Sequence, residues 1–319
     1  MKHITSKLLS LLLCLAMLMS MVPVAYAAEG TEGASEDSTS TETYVAKIGE
    51  QGYQTLDAAI AAAQNDDTIN IVAEGTYTLP SLEGKSVTFS GSRNVKIDMK
   101  NQINNNADSL CFDGVTVEFG TEDYKGFQHT TKLVYKNCAI TGKQFLYANE
   151  VEFDGCEFTQ DAVDYNVWTY GAGTVLFKNC TFTCKGKSVL IYNEGSITSQ
   201  TVTFQGCKFS ASAPVDGKAA IEIDSRFTSY DVTVDGATAN NVTGFASGSK
   251  SGNMVYNQKD GTNSVTVTID GAVVWKDGAK VEATGVTVSD TKVSEDGSAT
   301  TTVSGTPAAG NETIKVDAT

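Results

Sequence analysis

Histidine, arginine and basic residues in general are scarce in this chain of 319 residues. The only histidines are His3 and His129, and the only arginines are Arg93 and Arg226. Lys and Arg together number 23 against 38 Asp and Glu, which gives a formal net charge of -15. Nucleic-acid-binding proteins contact phosphates through basic side chains. The composition therefore predicts no nucleic-acid partner.

The first 27 residues have the pattern of an export signal. Lys2 and Lys7 precede an apolar run from Leu8 to Val22, and Ala25-Tyr26-Ala27 supplies small residues at a cleavage site. The run is too short to span a bilayer as a helix. We expect a secreted chain that begins at Ala28 and does not insert into a membrane after cleavage. Residues 28–43 contain no large apolar side chain and predict a disordered linker.

Removal of this leader has consequences for metal and catalytic chemistry. His129 becomes the single histidine, which excludes two-histidine zinc sites. A nucleophilic triad would have to use His129, and that residue lies in a polar run typical of a solvated loop. The chain contains no CxxC motif, so zinc and iron–sulfur sites are not expected. The sequence predicts no metal and no cofactor.

One eight-residue pattern recurs: apolar, any, aromatic or aliphatic, polar, Gly or Asn, small or Cys, any, apolar. Clear copies occupy 110–117, 133–140, 151–158, 175–182 and 202–209, and weaker copies occupy 87–94, 232–239 and 267–274. The alternation on both sides of a polar residue and a Gly or Asn is typical of two short strands joined by a sharp bend. Because side chains alternate along a strand, positions one, three, six and eight are predicted to face one interior.

A strand, a bend, a strand and a variable loop in every repeat describe one coil of a solenoid. Stacked coils would lie about 4.8 Å apart and would satisfy each other's backbone groups. We therefore expect an all-β parallel solenoid that forms one domain over residues 44–282. The segment 55–64 predicts a short helix with Thr55 as N-cap, an early acid and strong helix formers. Such a helix would cover the open edge of the first coil.

The order of these features carries a resemblance. The helix is followed by Asp67-Thr-Ile-Asn-Ile71, by Glu74-Gly-Thr-Tyr77, by Lys85-Ser-Val-Thr-Phe-Ser-Gly91, and then by repeated Phe-x-Asn/Gly-Cys-x-Phe. This order resembles the right-handed parallel β-helix proteins of the pectin-lyase-like superfamily, of the bacterial secreted or surface type. The resemblance implies a right-handed parallel β-helix with a short N-terminal capping helix. It leaves the function open, because that superfamily includes polysaccharide lyases, glycoside hydrolases and adhesins.

Six cysteines remain after export, and four of them share position six of the motif: Cys138, Cys156, Cys180 and Cys207. An even number in an exported protein first suggests disulfides. Residues stacked on successive coils have parallel Cβ vectors, however, which disfavours bridges. We expect a buried ladder of packed thiols. Cys111 falls at an outward position, and a bridge between Cys180 and Cys184 stays an open alternative.

Several coils contain a third apolar segment after the motif, namely 145–149, 167–170, 189–194, 220–224 and 254–258. If these segments stack, four aromatic residues lie in or near one column, with three charged residues beside it: Tyr147, Trp168, Tyr192 and Tyr256, then Glu222, Asp224 and Arg226. An outward aromatic row flanked by polar groups is suited to holding a glycan. The alternative is that some of these rings face the core, because a one-residue slip reverses the faces.

Paired carboxylates give a second hypothesis. Glu222 and Asp224 are two residues apart and share one face of a strand, as paired-carboxylate glycoside hydrolysis requires. Asp161 and Asp164 are alternatives, and solvated surface acids are the simpler interpretation of both pairs. The resembled pectate lyases use calcium-binding acids and a basic residue on an anionic polymer. That mechanism fits less well here, because Arg226 is the one arginine nearby and the negative charge would repel the substrate.

Residues 283–319 are rich in Thr, Val, Ser, Gly and acids, without the motif, and we interpret them as a β cap or a tail. The sequence as a whole favours a secreted, non-catalytic module that binds a polysaccharide or a cell-surface glycan, as an adhesin does. The alternative is a carbohydrate-active enzyme, either a glycoside hydrolase or a polysaccharide lyase, that acts in a groove along the β-helix. A third hypothesis is a scaffold without a small ligand.

Overall fold

The computed structural model describes residues 43–101, 106–128, 130–185, 187–211, 220–240, 255–258 and 262–281, together with four two-residue strands nearer the C-terminus. The predicted export signal, the predicted linker up to Glu42 and His129 lie outside the described residues. Among the described residues, no helix is long and apolar enough to cross a membrane.

Strands are the main regular structure of the described residues, which also include one helix, α1 (Leu56–Ala62), between the second and third strands. The strands are β1 (Ala46–Ile48), β2 (Gln51–Tyr53), β3 (Asp67–Ile71), β4 (Gly75–Tyr77), β5 (Ser86–Ser90), β6 (Val95–Asp98), β7 (Ser109–Asp113), β8 (Thr116–Glu118), β9 (Lys132–Lys136), β10 (Ala139–Thr141), β11 (Gln144–Phe145), β12 (Glu150–Asp154), β13 (Glu157–Gln160), β14 (Val167–Trp168), β15 (Thr174–Lys178), β16 (Thr181–Cys184), β17 (Val189–Tyr192), β18 (Ser199–Gln205), β19 (Lys208–Ala211), β20 (Ile221–Asp224), β21 (Ser229–Asp235), β22 (Thr238–Asn240), β23 (Val255–Tyr256), β24 (Val265–Ile269), β25 (Ala272–Lys276), β26 (Ala279–Lys280), β27 (Thr287–Val288), β28 (Lys292–Val293), β29 (Ala299–Thr300) and β30 (Val303–Ser304).

Successive coils contribute one strand each to long, stacked parallel sheets. The first sheet has 13 strands in the order β2-β1-β3-β5-β7-β9-β12-β15-β18-β21-β24-β25-β26. The second sheet has 8 strands, β22-β19-β16-β13-β10-β8-β6-β4, and the third has 5, β11-β14-β17-β20-β23. Pairing is parallel throughout the second and third sheets and from β3 to β24 in the first. The predicted all-β, solenoid-like fold is confirmed.

The motif positions predicted to face inward form the buried interior. In the copy 151–158, the side chains of Val151, Phe153, Cys156 and Phe158 are all at most 2% exposed. The equivalent positions of the other clear copies are buried in the same way. Each coil therefore buries two residues of its first-sheet strand, one residue of the bend and one residue of its second-sheet strand, which is the main source of hydrophobic stabilisation.

Four consecutive aromatic residues at position three form what we call the interior ring stack, and Phe112 on the preceding coil stacks on the first of them less closely, at 5.4 Å and 19°. The four are Tyr135, Phe153, Phe177 and Phe204. Neighbouring ring centroids are 4.8, 4.9 and 4.8 Å apart, with planes within 4 to 5° of parallel. The backbone register pairs the same residues directly across the first sheet. The rings therefore stack at the spacing of the strands, because the residues that carry neighbouring rings are paired in register across the sheet.

The bends between the first and second sheets alternate between Asn and Gly. Asn137 and Asn179 have φ values of 51° and 52°, in the left-handed region. On the next coil, a Cβ built on Gly155 would lie 2.9 Å from the Asn137 Oδ1, and one on Gly206 would lie 2.9 Å from the Asn179 Oδ1. Each Asn side chain thus fills the space above the following bend, which leaves room only for Gly there.

The thiols at position six form the expected ladder. The Cys156 Sγ lies 3.4 Å from the Tyr135 backbone oxygen, and the Cys180 Sγ lies 3.5 Å from that of Phe153. The Cys207 Sγ likewise donates toward the Phe177 oxygen of the preceding coil at 3.4 Å, whereas the Cys138 Sγ donates toward the Lys136 oxygen of its own coil at 3.3 Å. All six cysteines of the described residues are free thiols, and five of them are buried. The predicted packed ladder is confirmed, and the Cys180 and Cys184 side chains are not bridged.

Helix α1 and the antiparallel pair β1–β2 close the N-terminal end. Thr55 is the N-cap as predicted, and its hydroxyl accepts a hydrogen bond from the Ala58 amide at 3.1 Å. The helix ends at Ala62, earlier than predicted, where the Lys85 Nζ donates to the Ile60 carbonyl at 2.7 Å. The sequence did not reveal β1, which pairs antiparallel with β3 and covers the edge of the first coil.

Two of the weaker motif copies differ from the prediction. In the copy 87–94, Ser92 is exposed, and Val95 in β6 is buried in its place after a longer bend. In the copy 267–274, β24 and β25 pair antiparallel and form a hairpin rather than another coil. The reason is that Asp270 and Gly271 both have positive φ, 48° and 77°, which is the geometry of a two-residue hairpin turn.

The hairpin continues into β26, which pairs antiparallel with β25 at the end of the first sheet. Within 283–319, the described parts are four short strands in two antiparallel pairs, β27 with β30 and β28 with β29. They show strand pairing without the parallel coil pattern, in keeping with the different composition of this region.

Candidate functional site

The strands of the third sheet and the residues just beyond them carry the predicted site residues, which were expected in or near one column. Its register pairs Trp168 with Phe145 on one side and with Leu190 on the other. Tyr192 instead pairs with Asp224. Trp168 and Tyr192 therefore belong to two columns that lie two residues apart along the strands. The predicted residues, expected in or near one column, lie in two adjacent columns, because the apolar segments contain no feature from which the register could be read.

The rest of the register completes these two columns. Leu190 pairs with Glu222, which places Glu222 in the column of Trp168. Asp224 pairs with Tyr256, which places Tyr256 in the column of Tyr192. Tyr147 follows β11 and lies outside the strands of the sheet. The predicted segments are thus correct in place and longer than the strands that form there.

Alternation along these strands decides which side chains face outward. The inward positions are buried, and all but Gln144 in β11 are apolar: Val167, Val189, Ile191, Ile221 and Ile223. Trp168, Tyr192 and Tyr256 are half-buried, and Tyr147 is 41% exposed. Of the two orientations considered from the sequence, the rings have the outward one.

Five rings along this outer face form what we call the outer aromatic stack: Tyr147, Tyr170, Trp168, Tyr192 and Phe227. Neighbouring centroids are 5.7 Å apart for Tyr147 and Tyr170, 4.8 Å for Tyr170 and Trp168, 6.0 Å for Trp168 and Tyr192, and 6.4 Å for Tyr192 and Phe227. Sequence reasoning did not select Tyr170 and Phe227. Tyr170 could have been identified from its position two residues after Trp168. Phe227 lies beyond the end of β20, and no sequence pattern identifies it.

A buried aspartate holds the one arginine of this face. The Arg226 Nε lies 3.2 and 3.1 Å from the two Asp224 carboxylate oxygens, and its Nη2 lies 3.0 Å from Oδ2. Asn257 donates to the same carboxylate at 3.1 Å. The Arg226 guanidinium carbon is 4.9 Å from the Tyr192 ring centroid and 5.8 Å from that of Phe227. Arg226 therefore joins the two rings by cation–π contact while Asp224 neutralises its charge.

The second predicted carboxylate is engaged in a different way. The Tyr165 hydroxyl donates to the Glu222 Oε2 at 2.5 Å, and both side chains are 4% exposed. Burial first, and then the charge of Glu222, raise the pKa of Tyr165 well above its usual value. Lys187 lies against the other face of this tyrosine, with its Nζ 5.3 Å from the ring centroid. Glu222 thus fixes the loop that precedes β14.

Asp164 in the same loop makes further contacts along this face. Its Oδ1 accepts hydrogen bonds from the Tyr124 hydroxyl and the Tyr165 amide, both at 2.9 Å. Its Oδ2 lies 3.5 Å from the Lys143 Nζ. The Tyr124 ring meets Trp168 edge-on with centroids 5.4 Å apart. The loop is therefore bound to Glu222 in the third sheet and to Tyr124 and Lys143 outside it, and Tyr124 connects it to Trp168 of the outer aromatic stack.

These contacts define what the face can do chemically. Glu222 and Asp224 are both buried and hydrogen-bonded, so they do not form a pair of carboxylates open to solvent. Asp161 is exposed, whereas Asp164 is held by Tyr124 and Lys143. Within the part of the chain that the structure describes, no three or more His, Cys, Asp or Glu side chains are grouped to hold a metal ion.

Large apolar side chains are exposed at four described positions, and three of these lie along this face. Tyr147 is 41%, Val163 60% and Phe227 54% exposed; the fourth, Val72, is on another part of the solenoid. No protein-family model, curated protein or solved structure matches this chain. What the protein does must therefore be inferred from the residues of this face.

Proposed function

We propose that this protein is a secreted, non-catalytic binding module that contacts a polysaccharide or a cell-surface glycan through the outer aromatic stack. The observation that carries the proposal is the clustering of exposed rings on one face of a solenoid. Clustered apolar exposure is typical of an interaction site. Rings with polar tips suit sugars, which have apolar faces and hydroxyl edges.

The rigidity of the face supports binding. Trp168 donates from its indole Nε1 to the Tyr192 backbone oxygen at 2.8 Å, which fixes the ring. Arg226 is fixed by Asp224 and lies between Tyr192 and Phe227. A surface that is ordered before the ligand arrives loses less conformational entropy on binding.

The enzymatic alternative has less support. A general acid or base must reach the reacting proton of the substrate. Glu222 accepts a hydrogen bond from the buried Tyr165 hydroxyl, and Asp224 accepts hydrogen bonds from Arg226 and Asn257. Both carboxylates therefore have a structural role that accounts for their burial.

Two further parts of the proposal rest on the sequence. The solenoid is proposed to be a right-handed parallel β-helix of the pectin-lyase-like superfamily, in agreement with its stacked parallel sheets. The leader over residues 1–27 is proposed to direct export. An aromatic face on an exported solenoid is consistent with an extracellular glycan as partner.

Removal of the two most exposed rings tests this function. We expect Tyr147→Ala combined with Phe227→Ala to weaken glycan binding at least about tenfold, a loss of roughly 1.4 kcal/mol, on a glycan array followed by titration calorimetry. The matched control is Val72→Ala, which removes an exposed apolar side chain elsewhere. Glycan binding that is equal in the double variant and the control would contradict the proposal.

Incubation with polysaccharides tests the alternative. We expect no release of reducing ends or unsaturated sugars by the wild-type protein. Release that disappears in Glu222→Gln would overturn the non-catalytic function, and the free energy of unfolding of that variant shows whether the loss has a structural cause.

A further inference from the structure

We propose that the outer aromatic stack takes an uncharged glycan chain lying parallel to the solenoid axis, with Tyr147 and Phe227 as its two end contacts. This inference rests on the proposed function and gives it a ligand class, a direction and a minimum length. Three observations support it: the charges of the face, the geometry of the rings and the spacing of the coils.

The charges of this face favour an uncharged ligand. Arg226, Lys143 and Lys125 each lie within ion-pair distance of an aspartate of the protein itself, at 3.0, 3.5 and 3.9 Å. An anionic sugar would have to compete with Asp224, Asp164 and Asp123 for these three cations. It would also approach a chain whose formal net charge is -15. Like charge at long range disfavours the encounter and the complex.

The ring geometry separates the end rings from the central ones. Trp168 and Tyr192 lie within 7° of parallel with centroids 6.0 Å apart, and Arg226 approaches the Tyr192 ring. Part of each central ring face is thus already in contact with protein. Tyr147 and Phe227 are 41% and 54% exposed and have the largest free surfaces. We therefore assign stacking against sugar faces to Tyr147 and Phe227. Edge contacts and hydrogen bonds with the sugars are assigned to Trp168 and Tyr192.

The coil spacing sets the length of the ligand. Tyr147 follows β11 and Phe227 follows β20, and the order of the third sheet is β11-β14-β17-β20. The two rings are therefore about three strand spacings apart along the axis, roughly 14 Å. One sugar of an extended chain occupies about one such spacing. A chain of at least about three or four sugars is needed to touch both rings.

Contact at two separated rings predicts a step in affinity with chain length. A short oligosaccharide meets one ring, and a longer one meets both, with the second contact made intramolecularly. We expect affinity to rise about tenfold or more between the disaccharide and the tetrasaccharide of the bound backbone, and little from there to the hexasaccharide.

Charge is tested with polymer pairs that share a backbone: hydroxyethyl and carboxymethyl cellulose, methyl-esterified and unesterified homogalacturonan, and amylose and carboxymethyl amylose. We expect the uncharged member of the bound backbone to bind at least about tenfold more tightly, with affinity nearly constant between about 50 and 500 mM NaCl. Tighter binding of the anionic member would overturn this inference and leave the proposed function intact. Absence of binding to every glycan, on the array and in these pairs, would overturn the proposed function itself.

Length is tested by titration calorimetry with neutral oligosaccharides of the bound backbone. The step between disaccharide and tetrasaccharide should be present in the wild type and in Val72→Ala, and absent in Tyr147→Ala and in Phe227→Ala separately. Urea unfolding should show that both ring variants are as stable as the wild type, because both side chains are exposed. Equal affinity of the wild type for disaccharide and tetrasaccharide, or a step that survives in either ring variant, would overturn the bridging geometry.

Discussion

The interior ring stack inside the solenoid and the outer aromatic stack on its outer face differ in regularity. In the interior ring stack, neighbouring rings are 4.8 to 4.9 Å apart and within 5° of parallel. In the outer aromatic stack, the separations range from 4.8 to 6.4 Å, and the angles between planes from 7 to 74°.

The difference has a structural cause. Interior rings stand on paired strand residues and are confined on every side, so the strand spacing dictates their geometry. Outer rings stand partly on residues beyond the strand ends, such as Tyr147 and Phe227, and they are oriented by polar contacts with Arg226 and with backbone oxygens. The regular stacking of the interior rings thus follows from their role in the fold. The irregular stacking of the half-exposed outer rings is not required by the stability of the fold.

The largest expected contrast is in stability. Phe177 is fully buried between Phe153 and Phe204, so Phe177→Ala should lower the free energy of unfolding by about 3–5 kcal/mol. Tyr147→Ala in the outer stack should change it by less than about 0.5 kcal/mol. Urea unfolding followed by circular dichroism measures both. Similar losses in the two variants would remove the distinction between the two rows.

The interior tyrosine should give a smaller, pH-dependent effect. Burial, followed by the charges of Cys138 and Cys156, raises the pKa of Tyr135 well above its usual value. The unfolded chain therefore loses this proton near pH 10 while the folded protein keeps it. Stability is unaffected below that pH and falls above it, by about 1.4 kcal/mol per pH unit for this group.

Tyr135→Phe should remove that share of the alkaline slope. It should cost little at neutral pH, because the buried hydroxyl is one of the described side-chain atoms without a hydrogen-bond partner. The control is Phe153→Leu, which changes the same row without removing a titrating group and should keep the wild-type slope. Unfolding measured between about pH 8 and 11 decides this, and an unchanged slope in Tyr135→Phe would contradict it.

The smallest expected effect concerns thiols that face in opposite directions. Cys111 points outward and is half-buried, whereas Cys180 is fully buried. The hydrogen bond with Cys156, together with burial, raises the pKa of Cys180 to about 12. In the native protein, iodoacetamide at pH 8 should label Cys111 before any other described cysteine, as read by peptide mass spectrometry. Cys111→Ser should shift the free energy of unfolding by less than about 0.5 kcal/mol. Labelling of Cys180 at the same rate would show that the ladder is open to solvent.

The interior was predictable because its signals are local and repeated. Val151, Phe153, Cys156 and Phe158 alternate around a bend, and a period of two fixes which side chains share a face. Several copies in series then imply stacking, and stacking implies the packed thiols. The prediction was wrong at 267–274, where a turn with two positive φ values reverses the chain. The same Asp-Gly pair bends the chain by less in other copies of the motif.

The outer face was only partly predictable. The outward orientation of Tyr147, Trp168, Tyr192 and Tyr256 was one of two alternatives, and the expectation that they lie in or near one column did not specify the two columns that the register forms. The loops between the second and third sheets differ in length from coil to coil, so spacing in the sequence does not transmit the register. The contacts that hold the face join residues as far apart as Tyr165 and Glu222, which are 57 positions apart.

By itself, the sequence determined that this chain would be an all-β solenoid, with an interior column of rings and thiols, bends of Gly and Asn, and a helix with Thr55 as its N-cap. Each of these follows from alternation and from the conformational preferences of neighbouring residues. Only the tertiary structure decided which ring stands beside which on the outer face, and that Asp224 holds Arg226 while Glu222 holds Tyr165. Those partners come from different coils, and their pairing depends on strand register, which is fixed when the coils stack.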